Sequence, residues 1–160
     1  MDMPRCFILI GPPGCGKSTW REKTLPTLTN PVVISSDDLV DELAAQDGKS
    51  HNQKFVELDY DKDVVPRLKM AVTKAIISGS DIIIDQTNRT VEHRRLFRHL
   101  IPASYEIVGV VFEYDPDEIR ARVKARGART VPDFIMDKHI NNFVQPLPGE
   151  FETIMVVPRG

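Results

Sequence analysis

Eight residues near the start of the chain concentrate its chemistry: Gly11-Pro-Pro-Gly-Cys-Gly16-Lys17-Ser18, inside GPPGCGKSTW and directly after the apolar run RCFILI. Every fixed position fits the phosphate-loop pattern G-x-x-x-x-G-K-S/T. Glycines let the backbone curl so that several amides converge on one anion. A helix opening at Lys17 adds its positive end to the same point. On this reading Gly11, Gly14, Cys15, Gly16, Lys17, Ser18 and Thr19 bind the nucleotide. Lys17 reaches the β- and γ-phosphates, and Ser18 Oγ takes Mg2+. The competing reading, a glycine-rich turn with no ligand, leaves the complete pattern unexplained. The loop therefore points to a nucleoside triphosphate. It does not say where the γ-phosphoryl group goes.

Phosphoryl transfer needs positioning, charge stabilisation and a carboxylate that orients the attacking hydroxyl. The stretch SSDD, residues 35–38, offers Asp37 and Asp38, either of which can instead serve only to favour a helix N-terminus. The stretch DIIIDQTNRT places Asp85 where a buried run turns abruptly polar. Asp85 can hold a Mg2+-bound water or an arginine that touches the acceptor; its alternative is an Asx turn. Arg122 and Arg126 lie four apart and share a helix face. They precede GARTVP, which carries Arg129, and together read as a lid that brings guanidinium groups onto the phosphates. Arg120 and Lys124 read as solvated. The cluster HRRLFRH, residues 93–99, is the densest in basic residues, and Arg94 and Arg98 share a face there. It reads either as a solvated face or as a contact for the phosphates of a nucleic-acid strand. The four histidines show no metal-like spacing, and Trp20 reads as core. No NKxD guanine-specificity motif is present, which favours ATP.

These groups require a scaffold. RCFILI (5–10), VVIS (32–35), DIIID (81–85), YEIVGVVFEY (105–114) and ETIMVV (152–157) read as strands. Helical segments are expected at 17–28, from Ser36, at 64–79, after Thr90, from Pro116 and at 133–143, while 46–53 reads as a polar loop. Ser35 or Ser36 can cap the second helix and Thr90 the fourth. Asp115 caps the next, with Glu118 completing a capping box. Strands and helices alternate five times, which predicts an α/β fold with a mainly parallel five-stranded sheet between helices. Ligands bind beyond the carboxyl ends of such strands, and the unusual residues cluster there.

Bulk properties agree. One hundred and sixty residues suffice for a single domain spanning 1–160. A net charge of −2 excludes a global basic field, so an anionic ligand must meet local cations. Cys6 and Cys15 form no disulfide or zinc framework, which makes a reducing cytoplasm the expectation. The apolar runs are too short to cross a membrane.

GPPGCGKSTW, SSDDL, DQTNRT and RGARTVP resemble, in order and spacing, the kinase domain of bacteriophage 5′-polynucleotide kinases and related small P-loop kinases. The resemblance covers residues 5–145. It implies a P-loop kinase fold with a short arginine-bearing lid, ATP and Mg2+, and transfer of the γ-phosphoryl group to a hydroxyl of DNA or RNA, DNA before RNA. It implies that Lys17 and Ser18 are the loop pair, Asp37 the general base, Asp85 the acid of the third-strand motif, and Arg122 and Arg126 the lid arginines. Catalysis would then fall to Asp37, Lys17, Arg126 and Asp85, with Arg122 and Arg126 also touching the nucleotide. If the chain is phage-encoded, it acts in the host cytoplasm. One departure stands out: where that family carries an arginine that grips an acceptor phosphate, this chain has Val40. Phage kinases acting on 5-hydroxymethyluracil within DNA resemble the chain in kind. A small-molecule kinase is the remaining alternative.

Overall fold

A computed structural model describes residues 2–127 and 130–159. Five strands form one sheet: β1 (Arg5–Ile10), β2 (Val32–Ile34), β3 (Ile82–Ile84), β4 (Glu106–Phe112) and β5 (Thr153–Val157). Their order is β2-β3-β1-β4-β5, and every neighbouring pair is parallel. β1 lies at the centre, with Cys6 opposite Ile82 on one side and Ile107 on the other. Its residues from Cys6 to Ile10 are buried, as are Ile82, Ile83 and Ile84 of β3. Alternate residues of these strands feed two cores, one on each face. Cys6, Ile8 and Ile10 pack with Ile34, Leu68, Val72 and Phe97. Phe7 and Leu9 pack with Val110, Phe112, Ile119 and Met136. Continuous apolar runs are what a sheet covered on both faces demands.

The helices are α1 (Lys17–Thr24), α2 (Ser36–Gln46), α3 (His51–Glu57), α4 (Val65–Ile77), α5 (Val91–Arg98), α6 (Pro116–Lys124) and α7 (Asp133–Asn141). α1 stops short of the expected residue 28 because the chain tightens into a 3₁₀ turn, Leu25–Thr27, around Pro26, which has no amide to donate. Ser35 caps α2 by accepting from the Asp38 amide, and Thr90 caps α5 by accepting from His93. Residues 46–53 are not one loop. α3 opens at His51 under a full capping box in which Ser50 and Gln53 satisfy each other's amides. A single π turn, Tyr60–Val64, then leads into α4. The capping box expected at α6 does not form. Asp115 accepts from the Glu118 amide, but the Glu118 carboxylate pairs with Arg122 one turn on, where the opposite charge is closer. Trp20 belongs to the core, edge-on to Phe7 and Phe112. No helix among the described residues is long and apolar enough to cross a membrane.

The basic cluster of residues 93–99 divides on folding. Arg94 is fully buried: Nε and Nη2 meet the Glu150 carboxylate, and Nη1 donates to the carbonyls of Asn88 at 2.9 Å and Val144 at 2.8 Å. Its reading as a nucleic-acid contact is thereby corrected. The guanidinium instead satisfies backbone carbonyls that no helix or strand could reach, and ties the segment before β5 to the tip of β3. Arg98 lies over the Phe151 ring, 5.3 Å from its centroid.

Candidate active site

β1 delivers its chain end to the carboxyl edge of the sheet, and the loop curls there. The Gly11 amide donates to Thr87 O at 3.1 Å, joining the loop to the segment beyond β3. Gly14 and Gly16 have φ of 84° and 104°, in the left-handed region that side chains disfavour. Gly16 is also the N-cap of α1; no side chain caps this helix and no acid lies in its first turn. The first amides of α1 are therefore left to an external anion. A Cβ on Gly11 would lie 2.4 Å from Cys15 Sγ, so the loop closes tightly on itself at that point. Burial pushes the Cys15 thiol up despite neighbouring Lys17, making it a packing group and not a nucleophile.

Lys17 Nζ donates to Gly11 O at 2.8 Å and Pro12 O at 3.0 Å, holding the ammonium over the loop. The hydroxyl-bearing Ser18 and Thr19 are exposed beside it. Uncapped amides, an ammonium and two hydroxyls form a donor set that fits the phosphates of a nucleotide. Of these groups only a hydroxyl oxygen could ligate Mg2+. No group of three His, Cys, Asp or Glu able to hold a metal exists among the described residues. A single hydroxyl such as Ser18 Oγ suits an ion that takes its other ligands from phosphates and water.

Arg21 lies one turn beyond Lys17. Its Nη1 donates to Asp85 Oδ2 at 2.9 Å and to Asp38 Oδ2 at 3.1 Å. One guanidinium thus ties the helix behind the loop to the tips of β2 and β3. Burial pushes the Asp85 carboxyl above its ordinary value and Asp38 adds to the push, while Lys17 and Arg21 pull only part of it back. In the structure Asp85 holds the Arg21 guanidinium.

The neighbouring aspartates of α2 point to different partners. Asp38 joins Arg21. Asp37 keeps 69% of its side chain exposed and has His51 Nε2 at 3.8 Å. Ser36 Oγ donates to Gln86 Oε1 at 2.8 Å, linking this turn to the polar segment after β3. Val40 is buried, 1% exposed, so its position faces the core and not the cleft.

From the opposite side, Arg122 of α6 donates from Nη1 to Gly14 O at 3.2 Å and pairs through Nη2 with Glu118. Arg126 follows in an exposed turn, and Arg129 lies outside the described residues. Arg120 and Lys124, on the other side of α6, pair with Asp137 and Asp133 of α7. The structure thus brings Lys17 and Arg122 to the loop and joins Asp38 and Asp85 through Arg21, while Asp37 lies beside His51. Sequence reasoning passed over two residues. Arg21 was signalled by its i, i+4 spacing from Lys17. His51 was signalled only by S-x-x-Q at residues 50–53, the mark of a helix start in polar sequence.

Residues 7–146 match the AAA domain family. The chain belongs to that family. Its parallel sheet and the loop after β1 have the architecture of a P-loop nucleotide-binding fold. No curated protein matches the chain. Among solved structures, a Pnkp1/Rnl/Hen1 complex is similar at 26% identity and TM-score 0.61, over 76% of this chain and 40% of that one. The Pnkp1/Rnl/Hen1 RNA repair complex is similar at 25% identity and TM-score 0.71, over 89% and 44%. This AAA domain chain thus spans less than half the length of those relatives. A gluconokinase from Sinorhizobium meliloti 1021 shares the fold at 15% identity and TM-score 0.62, over 100% of this chain and 85% of that one.

Proposed function

We propose that the chain is a kinase that transfers the γ-phosphoryl group of ATP to a hydroxyl of a nucleic acid, first of all the 5′-hydroxyl of a polynucleotide. The observation that carries this reading is the division between the two aspartates. Asp38 and Asp85 are committed to Arg21, while Asp37, next to Asp38 in the first turn of α2, keeps 69% of its side chain exposed with His51 Nε2 3.8 Å away. A base must be within reach of the hydroxyl it deprotonates, and Asp37 is the carboxylate left to do so. The acceptor's proton passes to Asp37 as its oxygen forms a bond to the γ-phosphorus and the bond to the β-phosphate oxygen breaks. Lys17, Arg122 and Arg126 meet the charge on the phosphates, and the amides of the loop orient them. Mg2+ on Ser18 would supply further neutralisation of that charge.

The resemblance to the Pnkp1 structures supports a polynucleotide acceptor. Buried Val40 and a net charge of −2 favour a second reading, a small-molecule acceptor, because no arginine at that position can grip a strand phosphate. The deciding experiment offers γ-labelled ATP with four acceptors in parallel. These are 5′-hydroxyl DNA and RNA oligonucleotides, a 5′-phosphorylated duplex containing 5-hydroxymethyluracil, and a pool of nucleosides and sugars. Label on an oligonucleotide end, with transfer falling steeply as salt rises, is the expected result. Label only in the pool, insensitive to salt, overturns the polynucleotide reading.

A further inference from the structure

α3, the helix hidden in polar sequence, lies against α2 and carries His51 into the space beside Asp37. Asp37 and Asp41 are four residues apart, so they share a face of α2, and the imidazole fits between them. His51 Nδ1 lies 2.6 Å from Asp41 Oδ1, and Nε2 lies 3.8 Å from Asp37 Oδ1. The ring is also fixed in plane. Phe55, one turn on in α3, lies parallel to it, with 6.3 Å between centroids and 8° between planes. Only 16% of the His51 side chain is exposed. A short, exposed helix would not need so constrained a histidine for its own stability, since its capping box already satisfies its first turn.

We propose that His51, held by Asp41, is the positioning residue of Asp37, and so of the phosphoryl acceptor. This rests on Asp37 being the general base. The physical need is clear from the surroundings. An aspartate in the first turn of a helix has two competing attractions, the helix's own amides and, here, the Arg21 guanidinium that already holds Asp38 and Asp85. Either would withdraw it from the acceptor. Asp41 Oδ1, 2.6 Å from Nδ1, sets which ring edge faces Asp37. That edge, Nε2, stands 3.8 Å from Asp37 Oδ1 and, when both ring nitrogens carry protons, draws the carboxylate away from both alternatives.

A residue acting through Asp37 has an effect only while Asp37 is a base, and a double-mutant cycle reads this directly. In the wild-type chain, His51→Ala is expected to lower kcat about tenfold, the scale of a misaligned catalytic group, with KM for ATP unchanged. His51→Gln, which keeps a polar edge toward Asp37, is expected to recover most of that loss. In the Asp37→Asn background, His51→Ala is expected to change the residual rate not at all. Asp41→Asn, at a part-exposed position that opens no void, is expected to lower kcat several-fold in the wild-type background only. Wild-type rates in His51→Ala or Asp41→Asn overturn the proposal, as does an equal loss in both backgrounds. Asp37→Asn retaining full turnover is a different failure: it removes the base assignment itself.

Discussion

At the scale of single residues the cleft is a contest over which carboxylate is free to work. Three acids converge, and one arginine decides their fates by occupying two of them. The assignment predicts unequal consequences for chemically equal changes. Asp37→Asn is expected to lower kcat at least a hundredfold, the usual span of general-base catalysis, while ATP binding, followed by calorimetry, is retained. Asp38→Asn leaves Arg21 with Asp85, so a several-fold loss of kcat is expected, with a lower unfolding midpoint. Equal losses in the two variants would contradict the division of roles. Lys17→Ala removes the ammonium that holds Gly11 O and Pro12 O and that the proposed transfer sets against the phosphates. It is expected to weaken ATP binding and transfer together, measured by calorimetry and by initial rates. Normal kinetics in that variant would remove the phosphate-loop assignment.

Elements bring these residues together, and their joints are where the fold is vulnerable. The Arg94–Glu150 pair joins α5 to the segment before β5 with both partners buried. Burial alone would raise the Glu150 carboxyl, but hydrogen bonds from Arg94 and the Leu147 amide, with the charges of Arg94 and Arg98, hold it below its ordinary value. Removing one partner strands a buried charge, so Glu150→Ala is expected to cost about 3–5 kcal/mol in urea unfolding; a loss under about 1 kcal/mol would show the pair to be dispensable. Such joints explain what the sequence revealed and what it concealed. The strands were legible because a sheet covered on both faces writes unbroken runs such as FILI and DIIID. The helix starts at Ser35, Thr90 and Asp115 were legible because caps are local. Arg94 was not, because its partner lies 56 positions away and only folding makes the contact. α3 was not, because seven polar-leaning residues carry little periodicity. The loop and both acidic turns were legible; the sharing of Arg21 and the setting of Asp37 by His51 depend on tertiary angles that spacing does not encode.

Across the whole molecule, the cations that serve an anionic ligand leave a signature in the stability of the fold. His139 on α7 is held down to about 4, first by burial and then by Arg89, Lys17, Lys138 and His93. Its ring nitrogen Nδ1 is buried without a partner. The unfolded chain protonates this histidine near its ordinary value of 6.5, whereas the folded chain refuses the proton until about 4. Between those values the unfolded state binds more protons, so stability falls as pH falls. Glu150, depressed in the fold, adds a second loss below its ordinary 4.5, and Asp85, raised in the fold, works in the opposite sense. Comparing each chain with itself at pH 7 and pH 5 isolates the histidine, because the other two are shared by both chains. From pH 7 to pH 5 the wild-type chain is expected to lose about 1 kcal/mol more than His139→Gln, after allowance for solvent screening. Urea midpoints at the two values measure it. If both chains lose equally, neither burial nor the surrounding cations hold His139 neutral in the fold. If they differ as expected, burial first and the neighbouring cations second keep His139 neutral, and an anion bound at the loop should narrow the difference by offsetting the cations' share.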